Sequence, residues 1–164
     1  MPWVIALTVP VAMVLVLLAA TRSLVFRRAR RVRRRMEERF GEKIHLIAGC
    51  GIVERADRVP GVLVLAEDVL AYESVLTDGR GEIELCSVKK YDFEDTAETK
   101  HSRARKYAGA KVLAVYEGGE VPRVFVIPAV RAAEWSERLR QRLGEPAGLA
   151  VPASLEQGAG VSAL

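Results

Sequence analysis

The sequence predicts a mainly β protein: an N-terminal transmembrane helix, then seven strands closed by a C-terminal α-helix. Three observations predict it. An uncharged apolar run extends from Trp3 to Ala20 and is followed by a block of arginines. Short apolar runs separated by turn residues then recur from Lys43 to Pro128. Last, Ala132, Trp135, Leu139 and Leu143 repeat at spacings of three, four and four, the period of one helix face.

The first element is read from length and charge. At 1.5 Å rise per residue, the run from Trp3 to Ala20 spans about 27 Å, and continuing to Phe26 adds about 9 Å. That length predicts a bilayer-crossing helix over residues 1–26, with Pro10 tolerated as a kink. Arg27, Arg28, Arg30, Arg31, Arg33, Arg34 and Arg35 stand immediately downstream. Arginines retained on the cytoplasmic side orient such a helix. The expectation is a single-pass inner-membrane protein with its N-terminus outside and the rest cytoplasmic. A cleaved signal peptide is the competing reading. It is opposed by the absence of a basic residue before the apolar run and by the arginines after it. Residues 27–40 hold no Gly or Pro and are rich in Arg, Glu and Met. They predict a juxtamembrane helix that stops at Gly41.

The β pattern begins at His45. Residues 45–54 read as a strand with glycines at 49 and 51, and 54–60 as a polar turn. Gly61 to Ala66 is a short apolar run, Glu67-Asp68 a tight turn, and Val69 to Val75 the next strand. Thr77-Asp78-Gly79-Arg80-Gly81 is a turn signal. Glu82 to Cys86 alternates with period two, Val88 to Phe93 less cleanly, and Glu94 to Gly109 is polar and aperiodic. Lys111 to Glu117 and Val121 to Ile127 flank Gly118-Gly119 as a hairpin. Pro128 sits where a helix begins, and Gly144 with Pro146 beyond it marks the end. Residues 145–164 are small and aperiodic, and predict a disordered tail.

Charge is unevenly distributed. The chain carries +4, yet residues 22–39 hold nine Arg against Glu37 and Glu38, and residues 40–164 are net −3. The basic character belongs to the helix after the apolar run, so the folded part does not read as a nucleic-acid binder. Cys50 and Cys86 form no metal-ligand spacing and read as free thiols packed in the sheet.

Several local pieces carry a family resemblance. Gly61-Val-Leu-Val-Leu-Ala-Glu-Asp-Val-Leu-Ala-Tyr72 resembles the second and third strands of bacterial pleckstrin-homology-like (PH-like) and GRAM-like domains, which often read G-x-L-x-L-T-x-x-x-L-x-F. Ile83-Glu-Leu-Cys-Ser-Val88 resembles their fourth strand, with Glu84 where the family often has Pro. Lys111 to Ile127 resembles the late hairpin, and Glu134-Trp135 the closing helix. The resemblance covers about residues 44–143, within a domain spanning 41–144. It implies a seven-stranded bent barrel plugged by the C-terminal helix, with Trp135 as a structural ring in the mouth. The phosphoinositide motif of such domains, basic side chains on the first strands and loop, is missing here. Only Arg55 and Arg58 stand there, so the resemblance implies the fold and not that ligand.

No catalytic set is present. His45 and His101 fall in different elements, and no nucleophile elbow, phosphate loop or His-Glu-x-x-His occurs. The sequence implies no cofactor and no metal; the acidic run Asp92, Glu94, Asp95 and Glu98 reads as a solvated face. Lys100, Arg103, Arg105 and Lys106, with Arg55 and Arg58, are candidates for contact with an anionic surface. The expectation is a non-catalytic docking or scaffolding module. Its partners would be the lipid bilayer and a protein at the membrane, with no nucleic acid. The alternatives are an accessory subunit of a larger complex or a specific lipid-headgroup sensor.

Overall fold

The computed structural model describes residues 2–54, 57–95, 110–119 and 121–146, with side chains from Met13 onward. Helix α1 runs unbroken from Pro2 to Phe40 and ends at Gly41, whose φ of 52° is open to glycine at little cost. Seven strands follow: β1 Ile44–Glu54, β2 Asp57–Ala66, β3 Val69–Ser74, β4 Arg80–Glu84, β5 Lys90–Asp95, β6 Ala110–Tyr116 and β7 Arg123–Pro128. Helix α2, Ala129–Leu143, closes the fold. Gly144, with φ 81°, stops it, and its N–H donates to the Arg140 carbonyl at 2.9 Å.

All pairings are antiparallel and the order is β4-β3-β2-β1-β7-β6-β5. The chain lays three strands, β2 to β4, outward from β1, crosses to the opposite edge, and returns to pair β7 with β1 at Gly51–Val126 and Ile52–Phe125. At about 4.8 Å between neighbours, a flat sheet of this order sets its edges about 29 Å apart. The connection from Glu84 to Lys90 reaches at most about 21 Å when fully extended, and part of it is a 3₁₀ turn over Leu85–Ser87. The sheet therefore curls. Backbone bonds hold the connection at both ends, Leu85 N–H to Asp68 and Lys89 N–H to Tyr116, each 2.8 Å. The Tyr72 and Phe125 rings of β3 and β7 meet across the curve, with centroids 5.2 Å apart.

The inner face collects one side of every strand. Leu46, Ala48, Cys50 and Ile52 alternate along β1 and join Leu63, Leu65, Leu70, Tyr72, Ile83, Tyr91, Leu113, Val115, Phe125 and Ile127 around Trp135 and Leu139 of α2. The outer face carries two further apolar groups. One lies on β2 and β3 under α1. The other lies on β6 and β7 and contains Val112, Ala114, Tyr116, Val124 and Val126. Burial on both faces explains why Gly61–Ala66 and Val112–Tyr116 read as continuous apolar runs instead of alternating.

Four expectations change. Among the described residues, no helix is long and apolar enough to cross a membrane. Among the described side chains, the apolar residues Met13–Ala20 are followed by Thr21, Arg22 and Ser23 and then by the arginine block. The single-pass anchor and its inner-membrane placement with the N-terminus outside are corrected accordingly. The polar turn at 54–60 is mostly strand: β2 starts at Asp57 and pairs with Glu54. Strand β4 stops at Glu84, because Leu85, Cys86 and Ser87 turn toward the opposite edge. Cys86 is therefore exposed instead of packed in the sheet, while Cys50 is buried, and both are free thiols. The tail from 147 and the polar run 96–109 lie outside the described residues.

Candidate functional site

The arginine-rich half of α1 is a docked element. Val25, Ala29, Val32, Met36 and Phe40 recur at spacings of four, three, four and four, and form one stripe along the helix. That stripe covers Val62, Val64, Ala66, Ala71 and Val75, and Val32 and Met36 become buried. Seating it fixes where the arginines point. Arg28, Arg31, Arg35 and Arg39 follow the same period one position to the side, and this second stripe runs along β3 and β4. Arg35 pairs with Glu73 of β3, and Arg39 with Glu82 of β4 at 2.5 Å. Arg33 bonds Glu37 on the solvent side at 2.8 Å, and Arg34 bonds Glu38 at 2.9 Å, each one helical turn apart. The Arg30 guanidinium stacks 4.6 Å from the Phe26 ring centroid.

Between α1 and the β3–β4 hairpin lies a cleft of about 790 Å³. Arg28, Arg31, Arg34 and Arg35 line it from the helix, and Glu73 to Asp78 with Arg80 from the hairpin. The hairpin is held in shape by its own side chains. Ser74 Oγ accepts the N–H groups of Leu76 and Thr77, and Thr77 Oγ1 accepts from Gly79 N–H and donates to Glu54. Among the described residues no acidic side chain makes an ion pair with Arg28, Arg31 or Arg80. The lower half of the arginine stripe is neutralised by the sheet, and the upper half faces the cleft uncompensated.

A second cleft, about 610 Å³, opens where the hairpin ends meet, with Tyr72 and Phe125 among its lining residues. The Arg123 guanidinium lies 5.9 Å from the Tyr72 ring centroid.

The N-terminal part of α1 has a different character. Met13, Val14, Leu15, Val16, Leu17 and Leu18, with Leu24 and Phe26, are each between 54% and 68% exposed. Six consecutive apolar residues cover every side of a helix, so this segment has no polar face.

The remaining candidates are dispersed. Arg58 stands on β2 opposite Val53, with its side chain laid over Gly51. Arg55, Lys100, Arg103, Arg105 and Lys106 lie outside the described residues, as do His101 and Glu98. Arg27 is exposed on α1. Trp135 is fully buried in the inner core, and its indole Nε1 has no hydrogen-bond partner among the described residues. Asp92 is buried and accepts a bond from Tyr116 Oη at 3.2 Å, and Asp95 pairs with Lys111 at 2.8 Å. Among the described residues no group of three or more His, Cys, Asp or Glu side chains is placed to hold a metal ion. Burial pushes the Cys50 thiol up to about 12, opposed in part by the Arg58 charge. Burial thus favours the protonated thiol at neutral pH.

Arg80, Glu73 and Glu82 are site residues the sequence reading missed. A signal existed for half of the arrangement, the 25–29–32–36–40 apolar stripe inside the arginine block. The hairpin half had none, because only folding brings Arg80 into the cleft that Arg31 also lines.

No protein-family model matches the chain, and no curated protein matches it. Among solved structures the chain is similar to the C-terminal domain of an unknown protein from Leishmania infantum, at 17% identity and a TM-score of 0.48, covering 69% of this chain and 94% of that one. The PH-like and GRAM-like resemblance is corrected: no comparison identifies that fold. The pieces that carried it, apolar strands between turns, belong to any antiparallel sheet with a buried face and so specify strands without specifying a family.

Proposed function

We propose that this protein is a non-catalytic docking module. Its seven-stranded sheet, plugged by α2, is a rigid mount, and the N-terminal part of α1 is the element that engages a protein partner. One observation carries the reading: the all-round apolar surface of Met13 to Leu18, continued by Leu24 and Phe26, on a helix whose other end is seated on the sheet. Exposed apolar area of that kind is costly in water, at about 25 cal/mol per Å², and contiguous patches mark interaction surfaces. A partner with an apolar groove or helix pair relieves that cost by enclosing the segment on several sides. The accessory-subunit alternative is the same physics with a permanent partner.

The test compares the full chain with a chain beginning at Arg22, both expressed in the native cell and resolved by native electrophoresis. The full chain is expected in a complex larger than its own 18.0 kDa, and the shortened chain at monomer size. Recovery of the full chain with lipid and no second protein, or equal migration of the two chains, overturns the proposal.

A further inference from the structure

The geometry points to a phosphoryl-group site in the cleft between α1 and the β3–β4 hairpin, held by Arg28, Arg31 and Arg80. The argument is one of charge and donor geometry. The cleft is lined by five arginines, Arg28, Arg31, Arg34, Arg35 and Arg80, against three acids, Glu38, Glu73 and Asp78. Arg34 holds Glu38 and Arg35 holds Glu73. Among the described residues, Arg28, Arg31 and Arg80 then face only Asp78, a local excess of two positive charges. A phosphate monoester carries about −1.5 to −2 at pH 7, which matches that excess.

Donor geometry separates a phosphoryl group from a carboxylate. Each guanidinium is a planar fork that bonds two oxygens at once. A carboxylate has two oxygens and satisfies one fork, whereas a phosphoryl group presents three acceptor oxygens on a tetrahedron and takes forks from several directions. The arginines arrive from two: Arg28 and Arg31 from a helix, Arg80 from a strand. The helix is held over the strands by the buried stripe around Val32 and Met36, so two walls are positioned before any ligand arrives. This limits the ordering cost of binding. The inference does not rest on the docking proposal, because Met13–Phe26 forms no part of the cleft.

The same chemistry is offered by a soluble phosphorylated molecule and by a phosphorylated lipid headgroup, so the experiment has two arms. In the first, the full chain is titrated with inorganic pyrophosphate by calorimetry at fixed ionic strength. In the second, it is sedimented with vesicles containing phosphatidylinositol 4-phosphate or with phosphatidylserine vesicles of equal charge. Two variants that each remove two positive charges are compared, R31Q with R80Q in the cleft, and R27Q with R33Q, exposed on α1 and outside the cleft lining. The expected result is saturable pyrophosphate binding that weakens by at least about tenfold in the cleft variant and less than about twofold in the control. Preference for the phosphoinositide vesicles, lost in the cleft variant, assigns the group to a lipid. Pyrophosphate binding without that preference assigns it to a soluble ligand. Equal loss in both double variants shows general charge attraction and overturns the site, as does the absence of saturable pyrophosphate binding by the folded wild-type chain. Thermal melts check that the cleft variant is folded. If it is not, the single substitution R28Q, on the exposed side of α1, takes its place with a threefold or greater weakening expected.

Discussion

The two helices lie on opposite faces of one curled sheet and are built on opposite terms. Helix α2 has 15 residues, buries Ala132, and commits Trp135 and Leu139 to the inner core, where all seven strands converge. Helix α1 has 39 residues, yet among its described side chains only Val32 and Met36 are buried. The inner helix is held by enclosure and the outer one by a narrow apolar stripe bordered by ion pairs. A helix held that way keeps most of its surface for other contacts. In α1 that surface is apolar toward the N-terminus and densely cationic toward the sheet.

The comparison is most directly broken at Trp135. Removing a fully buried indole leaves a cavity that the surrounding strands cannot fill. Trp135→Ala is expected to cost about 3–5 kcal/mol in denaturant unfolding. A loss under about 1 kcal/mol would remove the enclosure argument for α2.

Helix α1 should show a smaller dependence of the same kind. Met36→Ala, on a two-sided contact, is expected to cost about 2 kcal/mol, at the low end for a buried methionine. A chain beginning at Gly41 bares Val62, Val64, Ala66, Ala71 and Val75. It should unfold at lower denaturant than a chain beginning at Arg22. Equal midpoints would mean that the stripe contributes nothing to stability.

The inner face also carries a response to pH. Cys50 lies on the inner face, and its thiol is pushed to about 12 from an ordinary value of 9.0 by burial. The folded state therefore favours the protonated thiol. That contribution is fully present below pH 9 and is lost as pH rises toward 12. Tyr91 acts in the same direction: burial and the neighbouring Glu145 raise its phenol, which donates to the Gly144 carbonyl at 2.6 Å. Stability should fall above pH 9, and Cys50→Val should fall less steeply than wild type in urea midpoints measured from pH 8 to 11. Parallel curves would contradict the burial of that thiol.

The smallest effect is expected at the ion pairs. Glu73→Gln removes the partner of Arg35, whose side chain is 63% exposed. Solvent-exposed pairs contribute about 0–1 kcal/mol, so the unfolding midpoint should barely move. A larger loss would show that charge, and not the apolar stripe, seats α1.

Much of the β architecture was legible in the chain. The seven strands fall near the runs read from apolar periodicity, because a strand with one buried face must alternate and one buried on both must be continuously apolar. The breaks at Gly41 and Gly144 were legible because both end helices with positive φ. The site was legible only in part. Arg28 and Arg31 stood out as part of a charge run, but the same run suggested a topology signal. Their cleft depends on Arg80, about 50 residues away in sequence, and no local pattern connects them.

The sequence by itself determined the strands, their order along the chain, the closing helix and the asymmetry of charge. Each of these follows from local chemistry: side-chain period, glycine at a helix end, apolar against charged composition. Only the tertiary structure decided the rest. It curled the sheet, because a connection of five residues from Leu85 to Lys89 must join its two edges. It turned the arginine block from a flank of an apolar segment into a docked helix, because Val32 and Met36 find Val62, Val64 and Ala71 on an outer face that exists only once the sheet is formed. That docking leaves three guanidiniums over one cleft with no ion-pair partner among the described residues, since ion pairs between distant residues depend on how elements are packed and not on their spacing in the chain.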